Sequence, residues 1–308
     1  MQPKETQVTS RTTPPVRLVV REHGDPSADT HVVLLHGFPD DQTMWLPVVE
    51  RLPADWHVVT YDSRGAGASD RPSGRDAYLL EHHVEDLVAV LDATLPRDER
   101  VHLVGHDWGS IAGWDAVAAA TWDPRLERRL ASYTSVSGPP LDHVGSRAQG
   151  WRGTLRMLPQ LLHSWYVWFF LLPRLPELTW RRLQQGVRPL LRRLDPTVDL
   201  MPWGAEAARN AVPALEIYRA NVVPRLRAPR AWRTSLPVQL VVARRDGFVL
   251  PVSVVGLEAR CRDLSVVELD EGHWVPRARP EQLADLVADF VRRRPSTSGG
   301  SGTGVDGQ

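Results

Sequence analysis

Cysteine is nearly absent. Cys261 is the only one in 308 residues, which excludes an internal disulfide and makes a reducing compartment, the cytoplasm, the expectation. Lys4 is the only lysine and every other basic residue is arginine, a bias we read as compositional. Net charge is lacking too: 37 basic residues balance 37 acidic ones, so nothing points to a polyanionic partner such as nucleic acid. Long hydrophobic runs are missing. The longest, Trp165–Leu172, falls far short of the ~20 residues a membrane-spanning helix needs, so no stable membrane insertion is expected. Met1–Pro15 is polar and lacks the apolar stretch of a secretion signal. No internal repeat is found. Tyrosine is scarce, with five in the chain.

What is present is an ordinary globular composition, 42% hydrophobic and 24% charged. The length suits one large α/β domain with an insertion. Strands are predicted at Val16–Arg21, His31–Leu35, His57–Tyr61, Val101–Val104 and Ala131–Val136. Helical spacing covers Thr43–Arg51 and Tyr78–Leu95 between them. Such alternation predicts a mostly parallel central sheet with helices on both faces. From Pro139 to Trp232 no strand pattern is legible, and Trp151, Trp165, Trp168, Trp180 and Trp203 fall among helical patterns, prolines and arginines. Alternation resumes at Val238–Ala243 and Leu264–Leu269 and closes with a helix over Pro280–Arg294. The organisation expected is a disordered arm at 1–15, an α/β core at 16–138 and 232–294, a helical lid (cap) at 139–231, and a linker-like disordered tail at 295–308. Tryptophans are expected to pack the lid helices, with arginines on its solvated face.

The stretch Val101–Gly113 organises the chain. A strand breaks at Gly105-His106-Asp107-Trp108-Gly109 and a small-residue helix follows. Strand, Gly-x-nucleophile-x-Gly, helix is the strained turn that lifts one side chain above the C-terminal edge of a sheet. Here that residue is Asp107; Ser110 lies past the second glycine. A carboxylate attacks an alkyl carbon and becomes an ester. Hydrolysing that ester needs a base and an acid to hold it, in the order nucleophile, acid, histidine. Asp246 follows the strand Val238–Ala243, and His273 follows Leu264–Leu269. Taken singly, Asp246-Gly247 is also a common turn dipeptide and His273 a loop histidine. Their order and placement make Asp107, Asp246 and His273 the candidate triad. The loop His36–Asp40 is expected to supply the Phe38 N–H, which with the Trp108 N–H would form an oxyanion hole. The Phe38–Pro39 bond is a candidate for the cis form.

Four motifs together resemble the epoxide-hydrolase branch of the α/β-hydrolase family: His36-Gly37-Phe38-Pro39, the turn Asp62–Ser69, Gly105-His106-Asp107-Trp108-Gly109 and Gly272-His273-Trp274. The resemblance runs through nearly all of residues 16–294 and implies the α/β-hydrolase fold with an inserted lid. It also implies two lid tyrosines that hydrogen-bond the epoxide oxygen. Tyr166, in an aromatic run before Pro173 and Glu177, and Tyr218, followed by Arg219, fall at those positions. Lid packing is the competing role for each. Departures are Leu171 after Phe170 where glutamine is usual, Glu216 where asparagine is frequent, and Val275-Pro276 after Trp274. The stretch Tyr133–His143 is similar to a mycobacterial-type group in which such a domain precedes a short-chain dehydrogenase domain. These 308 residues leave no room for the latter.

The activity implied is opening of an epoxide to a vicinal diol through an ester on Asp107, with no metal or organic cofactor. Phe38, Trp108, Trp165, Phe169 and Trp274 are the candidate substrate contacts. The substrate expected is a small, apolar or aromatic epoxide, and a homodimer is the candidate assembly. Two alternatives remain. A haloalkane dehalogenase would use the same triad, but Phe38-Pro39 stands where one common solution places a halide-binding asparagine. A non-catalytic ligand-binding module on this fold would have no use for the ordered triad.

Overall fold

Alternate residues of a strand face opposite sides of its sheet, and His31–Leu35 (β3) is apolar on both. Val33 and Leu35 enter one core, while Val32 and Leu34 enter another. The same division runs through Val101–His106 (β5) and Val238–Ala243 (β7). Strands buried on both faces need helices on both. Helices Leu80–Thr94 and Trp108–Ala119 cover the first face through Leu87, Leu91 and Trp114. Trp45 and Val48, with the C-terminal helix Pro280–Arg292, cover the second.

The computed structural model describes residues 3–294. Within them, Lys4–Thr9 (β1), Arg17–His23 (β2), β3, His57–Tyr61 (β4), β5, Leu130–Val136 (β6), β7 and Leu264–Leu269 (β8) form one sheet in the order β1-β2-β4-β3-β5-β6-β7-β8. Every pairing from β4 to β8 is parallel, and β1 and β2 are antiparallel additions at one edge. This is the mostly parallel α/β sheet that the strand–helix alternation predicts. The expected helix Thr43–Arg51 is two single turns, Gln42–Trp45 and Leu46–Val49.

The expectation of a disordered arm at 1–15 fails at β1. Its six residues pair with β2 in register from Lys4–Glu22 to Thr9–Arg17. Only Val8 turns an apolar side chain inward, so hydrophobic periodicity carried no signal. A backbone ladder and the Lys4–Glu22 ion pair, at 2.9 Å, hold the strand instead. The expected tail at 295–308 lies outside the described residues.

Between β6 and β7 the described elements are all helical, the longest being Ala205–Arg227. This segment meets the loops that follow β3, β5, β7 and β8 in a third apolar cluster. Phe38, Phe248 and Trp274 come from the loops and Trp108 from the helix start after β5; Phe170, Trp180, Leu215 and Tyr218 come from the helices. Polar side chains fix the long helix in place. Asn210 accepts the Gly67 N–H at 3.0 Å. Asn221 accepts from Leu80 N–H and donates to the Tyr78 carbonyl. Arg225 reaches the buried carboxylates of Asp115 and Asp142, each at 3.1 Å. The tryptophans depart from expectation. Trp180 stacks on Trp203, but Trp151, Trp165 and Trp168 are exposed.

The turn between β5 and the helix Trp108–Ala119 is a tight junction. A Cβ on Gly109 would sit 2.2 Å from the Leu35 carbonyl oxygen and 2.5 Å from that of His36, both backbone atoms that cannot yield without moving β3. Gly109→Ala should therefore cost about 3 kcal/mol of stability, read as a lowered urea midpoint. A wild-type midpoint would mean that β3 and this helix can separate freely.

Candidate active site

Asp107 occupies the apex of that turn with φ 52° and ψ −121°, a backbone conformation side chains rarely adopt. The strain is held by the Asp107 N–H bond to the Val136 carbonyl (3.1 Å) and by the helix that starts immediately after it. One carboxylate oxygen, Oδ2, accepts the Phe38 N–H at 2.7 Å. The other, Oδ1, lies 3.5 Å from His273 Nε2. On its far side, His273 Nδ1 meets Asp246 Oδ2 at 2.9 Å. The second oxygen of Asp246 accepts the N–H groups of Phe248 and Val249, each at 2.8 Å. Nucleophile candidate, base candidate and acid candidate thus form one chain of contacts across the ends of β5, β8 and β7. Ser110 is elsewhere, bonded to the Gly138 carbonyl in a buried hydroxyl network with Tyr133 and Ser135.

The electrostatics follow from this arrangement. Burial alone would push the His273 imidazole down, but the Asp246 and Asp107 carboxylates outweigh it and raise its pKa well above the usual value. Burial opposes ionisation of Asp107, yet the hydrogen bond and charge of His273, with the Phe38 N–H, bring it below the usual carboxylate value. His106, next to Asp107, is brought down to about 4 by burial and then by the His273 charge. Its neutral ring donates through Nε2 to the His273 carbonyl at 2.9 Å.

Trp108 is the first residue of its helix, where backbone N–H groups lack intrahelical acceptors. The Phe38 N–H reaches the Asp107 carboxylate, and the Phe38–Pro39 peptide is cis.

Two adjoining cavities meet at Asp107. One, of about 50 Å³, is walled by Phe38, Phe170, Trp180, His273 and Trp274. The other, of about 90 Å³, is walled by Trp108, Ile111, Leu141, Trp168 and Val222. Asp107, Tyr166, Tyr218 and Phe248 line both. The two tyrosines therefore face the same carboxylate from two different helices. Burial, and then the Asp107 charge, raise both phenol pKa values well above 10, so both hydroxyls keep their protons.

Of the expected substrate contacts, Phe38, Trp108 and Trp274 line these cavities. Trp165 and Phe169 line neither. Trp165 points to solvent, and Phe169 packs on the back of Phe170. The wall positions belong to Phe170 and Trp168 of the short helix Trp165–Phe170.

Three contributors escaped sequence reading. Arg219, next to Tyr218, donates to the carbonyls of Phe170 and Leu172 and pairs with Glu177 and Glu216. It ties the helix carrying Tyr218 to the end of the helix carrying Tyr166. Asp40 accepts from Trp274 Nε1 at 2.8 Å and from Arg277. Asp195, fully buried in the helical segment, accepts the backbone N–H of His273 at 2.7 Å and of Gly247 at 3.1 Å. It holds the acid and base loops together from above. Its Oδ1 lies 2.3 Å from where a Cβ on Gly272 would stand, so only glycine fits there. The Asp195-Pro196-Thr197 sequence does signal a helix cap, and Asp195 accepts from Thr197 N–H. Nothing local shows which loops it reaches.

Residues 30–276 match the family model described as alpha/beta hydrolase fold. The chain belongs to the α/β-hydrolase fold family. Among curated relatives, the probable oxidoreductase EphD of Mycobacterium tuberculosis is 33% identical over 90% of this chain and 48% of its own length. The chain thus spans about half the length of the first curated relatives it matches. Epoxide hydrolase 3 of Xenopus tropicalis is 26% identical over 89% of this chain and 75% of its own. A solved Bacillus megaterium epoxide hydrolase, in complex with an inhibitor, superimposes with a TM-score of 0.73 at 22% identity, over 93% of this chain and all of that one. At that identity the likeness speaks for the α/β-hydrolase fold.

Replacing Asp195 with alanine would leave the His273 and Gly247 N–H groups buried without acceptors. A loss of about 3 kcal/mol is expected, measured by urea denaturation, with a changed His273 imidazole resonance. An unaltered resonance would mean that the base loop holds its position unaided.

Proposed function

We propose that this chain is an epoxide hydrolase that opens an epoxide to a vicinal diol through an ester on Asp107. The observation that carries the reading is the convergence of two protonated tyrosines, 166 and 218, on a carboxylate already paired with an imidazole. Acyl transfer needs no such pair of phenols. Ring opening of a strained ether does, because its leaving oxygen stays attached and must be stabilised as an alkoxide.

With Oδ2 held by Phe38, Asp107 attacks through Oδ1. A bond forms from Oδ1 to a ring carbon as that carbon's bond to the ring oxygen breaks. Tyr166 and Tyr218 donate to the oxygen, which takes a tyrosine proton that the phenolate later regains. Esterification removes one of the two carboxylate charges that raise the His273 pKa. The imidazole then gives up its proton to the phenolate and becomes a base at the step that needs one. It takes a proton from water, whose oxygen adds to Cγ of Asp107. The negative charge on that carboxyl falls within reach of the Phe38 and Trp108 N–H groups. Collapse breaks the Cγ–Oδ1 bond, so Oδ1 leaves on the substrate carbon as the second diol oxygen, and the imidazolium, steadied by Asp246, returns the proton to it. Residues 139–231 act as the lid, with Asp195, Arg219 and Arg225 fixing it over the site. The apolar cavity walls suit a small apolar or aromatic epoxide.

The reading is tested by single turnover in ¹⁸O-water with excess enzyme and styrene oxide. Attack by Asp107 leaves the label in the Asp107 carboxylate and an unlabelled first diol. Label in that diol would mean that water attacks the ring directly, and the ester route would be lost.

A further inference from the structure

Large apolar side chains exposed to water are unevenly spread. Of fifteen among the described residues, twelve lie within residues 151–200. They form a pattern. Trp151, Leu155, Leu158 and Leu162 recur at intervals of four, three and four along the helix Gly150–His163, one stripe of a 3.6-residue helix. Trp165 and Trp168 extend the apolar surface along the next helix. The opposite side of the first helix is occupied: Met157 is fully buried, and Gln160 bonds the Phe248 carbonyl and the Leu250 N–H. The helix therefore shows apolar residues on both faces, and the outward face, with Trp151 69% and Leu162 68% exposed, contributes nothing to the core. Leu183 and Leu190, in the helical stretch that precedes the buried Asp195, are exposed as well.

The charge on this stretch has one sign. Residues 151–200 hold eight arginines against three acids in a chain whose total is balanced. The acids are engaged: Asp195 is buried in its loop contacts, Asp199 pairs with Arg188 and Arg192, and Glu177 pairs with Arg219. Arg152, Arg156, Arg181 and Arg182 are exposed beside the apolar positions.

We infer that this outer surface of the lid docks peripherally on an anionic lipid bilayer. Outward tryptophan and leucine flanked by arginine are what an interfacial helix presents. Arginines draw the face to anionic headgroups, while leucines and indoles enter the boundary below them. A second copy of the chain would bring arginine against arginine and answers the charge poorly. No described helix is long and apolar enough to cross a membrane; the contact proposed lies on the surface.

Co-sedimentation of the full chain with phosphatidylcholine vesicles, with and without phosphatidylglycerol, tests this. Partitioning should rise with phosphatidylglycerol and fall with salt. The double variant Leu155→Asp with Leu162→Asp should lower it at least about tenfold. Arg181→Gln should lower it about fivefold on the anionic vesicles only. These positions are exposed, so melting curves should match wild type. Absence of binding at any phosphatidylglycerol content would overturn the inference, as would binding that the leucine variant leaves unchanged. So would a concentration-dependent dimer, seen by light scattering without vesicle binding and broken by the same variant.

Discussion

One imidazole shared between two buried carboxylates is the interaction on which the rest of this structure depends. His273 lies between Asp246 at 2.9 Å and Asp107 at 3.5 Å. Two negative charges in a buried site are costly without a cation; the imidazolium supplies it, and backbone N–H groups cover the remaining oxygens. The arrangement holds only if three loops, following β5, β7 and β8, keep their spacing. The glycine-flanked turn at Asp107 fixes the first, and Asp195 links the other two.

That dependence explains the polar character of the lid's attachment. An apolar cluster lines the cavities, but a hydrophobic contact is non-directional and would not set where the Tyr166 and Tyr218 hydroxyls point. Directional contacts do so: Asn221 to the start of the helix Leu80–Thr94, Arg225 to Asp115 and Asp142, and Arg219 to the Phe170 carbonyl. The turn Asp62–Ser69 belongs to the same scheme. Asp62 accepts the N–H groups of Gln42 and Ala68, and Arg64 pairs with buried Asp86 at 2.6 Å. Its motif residues build the platform on which the long helix sits.

Much of the core was legible because its signals are local. Buried parallel strands read as short apolar runs, and β3, β4 and β7 begin and end where that pattern does. The positions of Asp107, Asp246 and His273 relative to strand ends were readable for the same reason. Edge strand β1 was not, since a backbone ladder leaves little mark on side-chain type. Asp195 and Arg219 were not, because their partners lie in loops and helices distant in sequence. Trp165 and Trp168 show the limit on short helices: both are half-exposed, and nothing in composition says that Trp168 alone also reaches a cavity wall.

The central claim is that Asp107 carries a covalent ester that His273 removes. It is tested most directly by intact-protein mass spectrometry of the His273→Ala variant after incubation with styrene oxide and, separately, with 1-bromobutane. A mass gain equal to the whole epoxide, lost when Asp107 is also replaced by alanine, is the expected result. A butyl adduct with bromide release, and none from the epoxide, would contradict it and assign the same residues to dehalogenation.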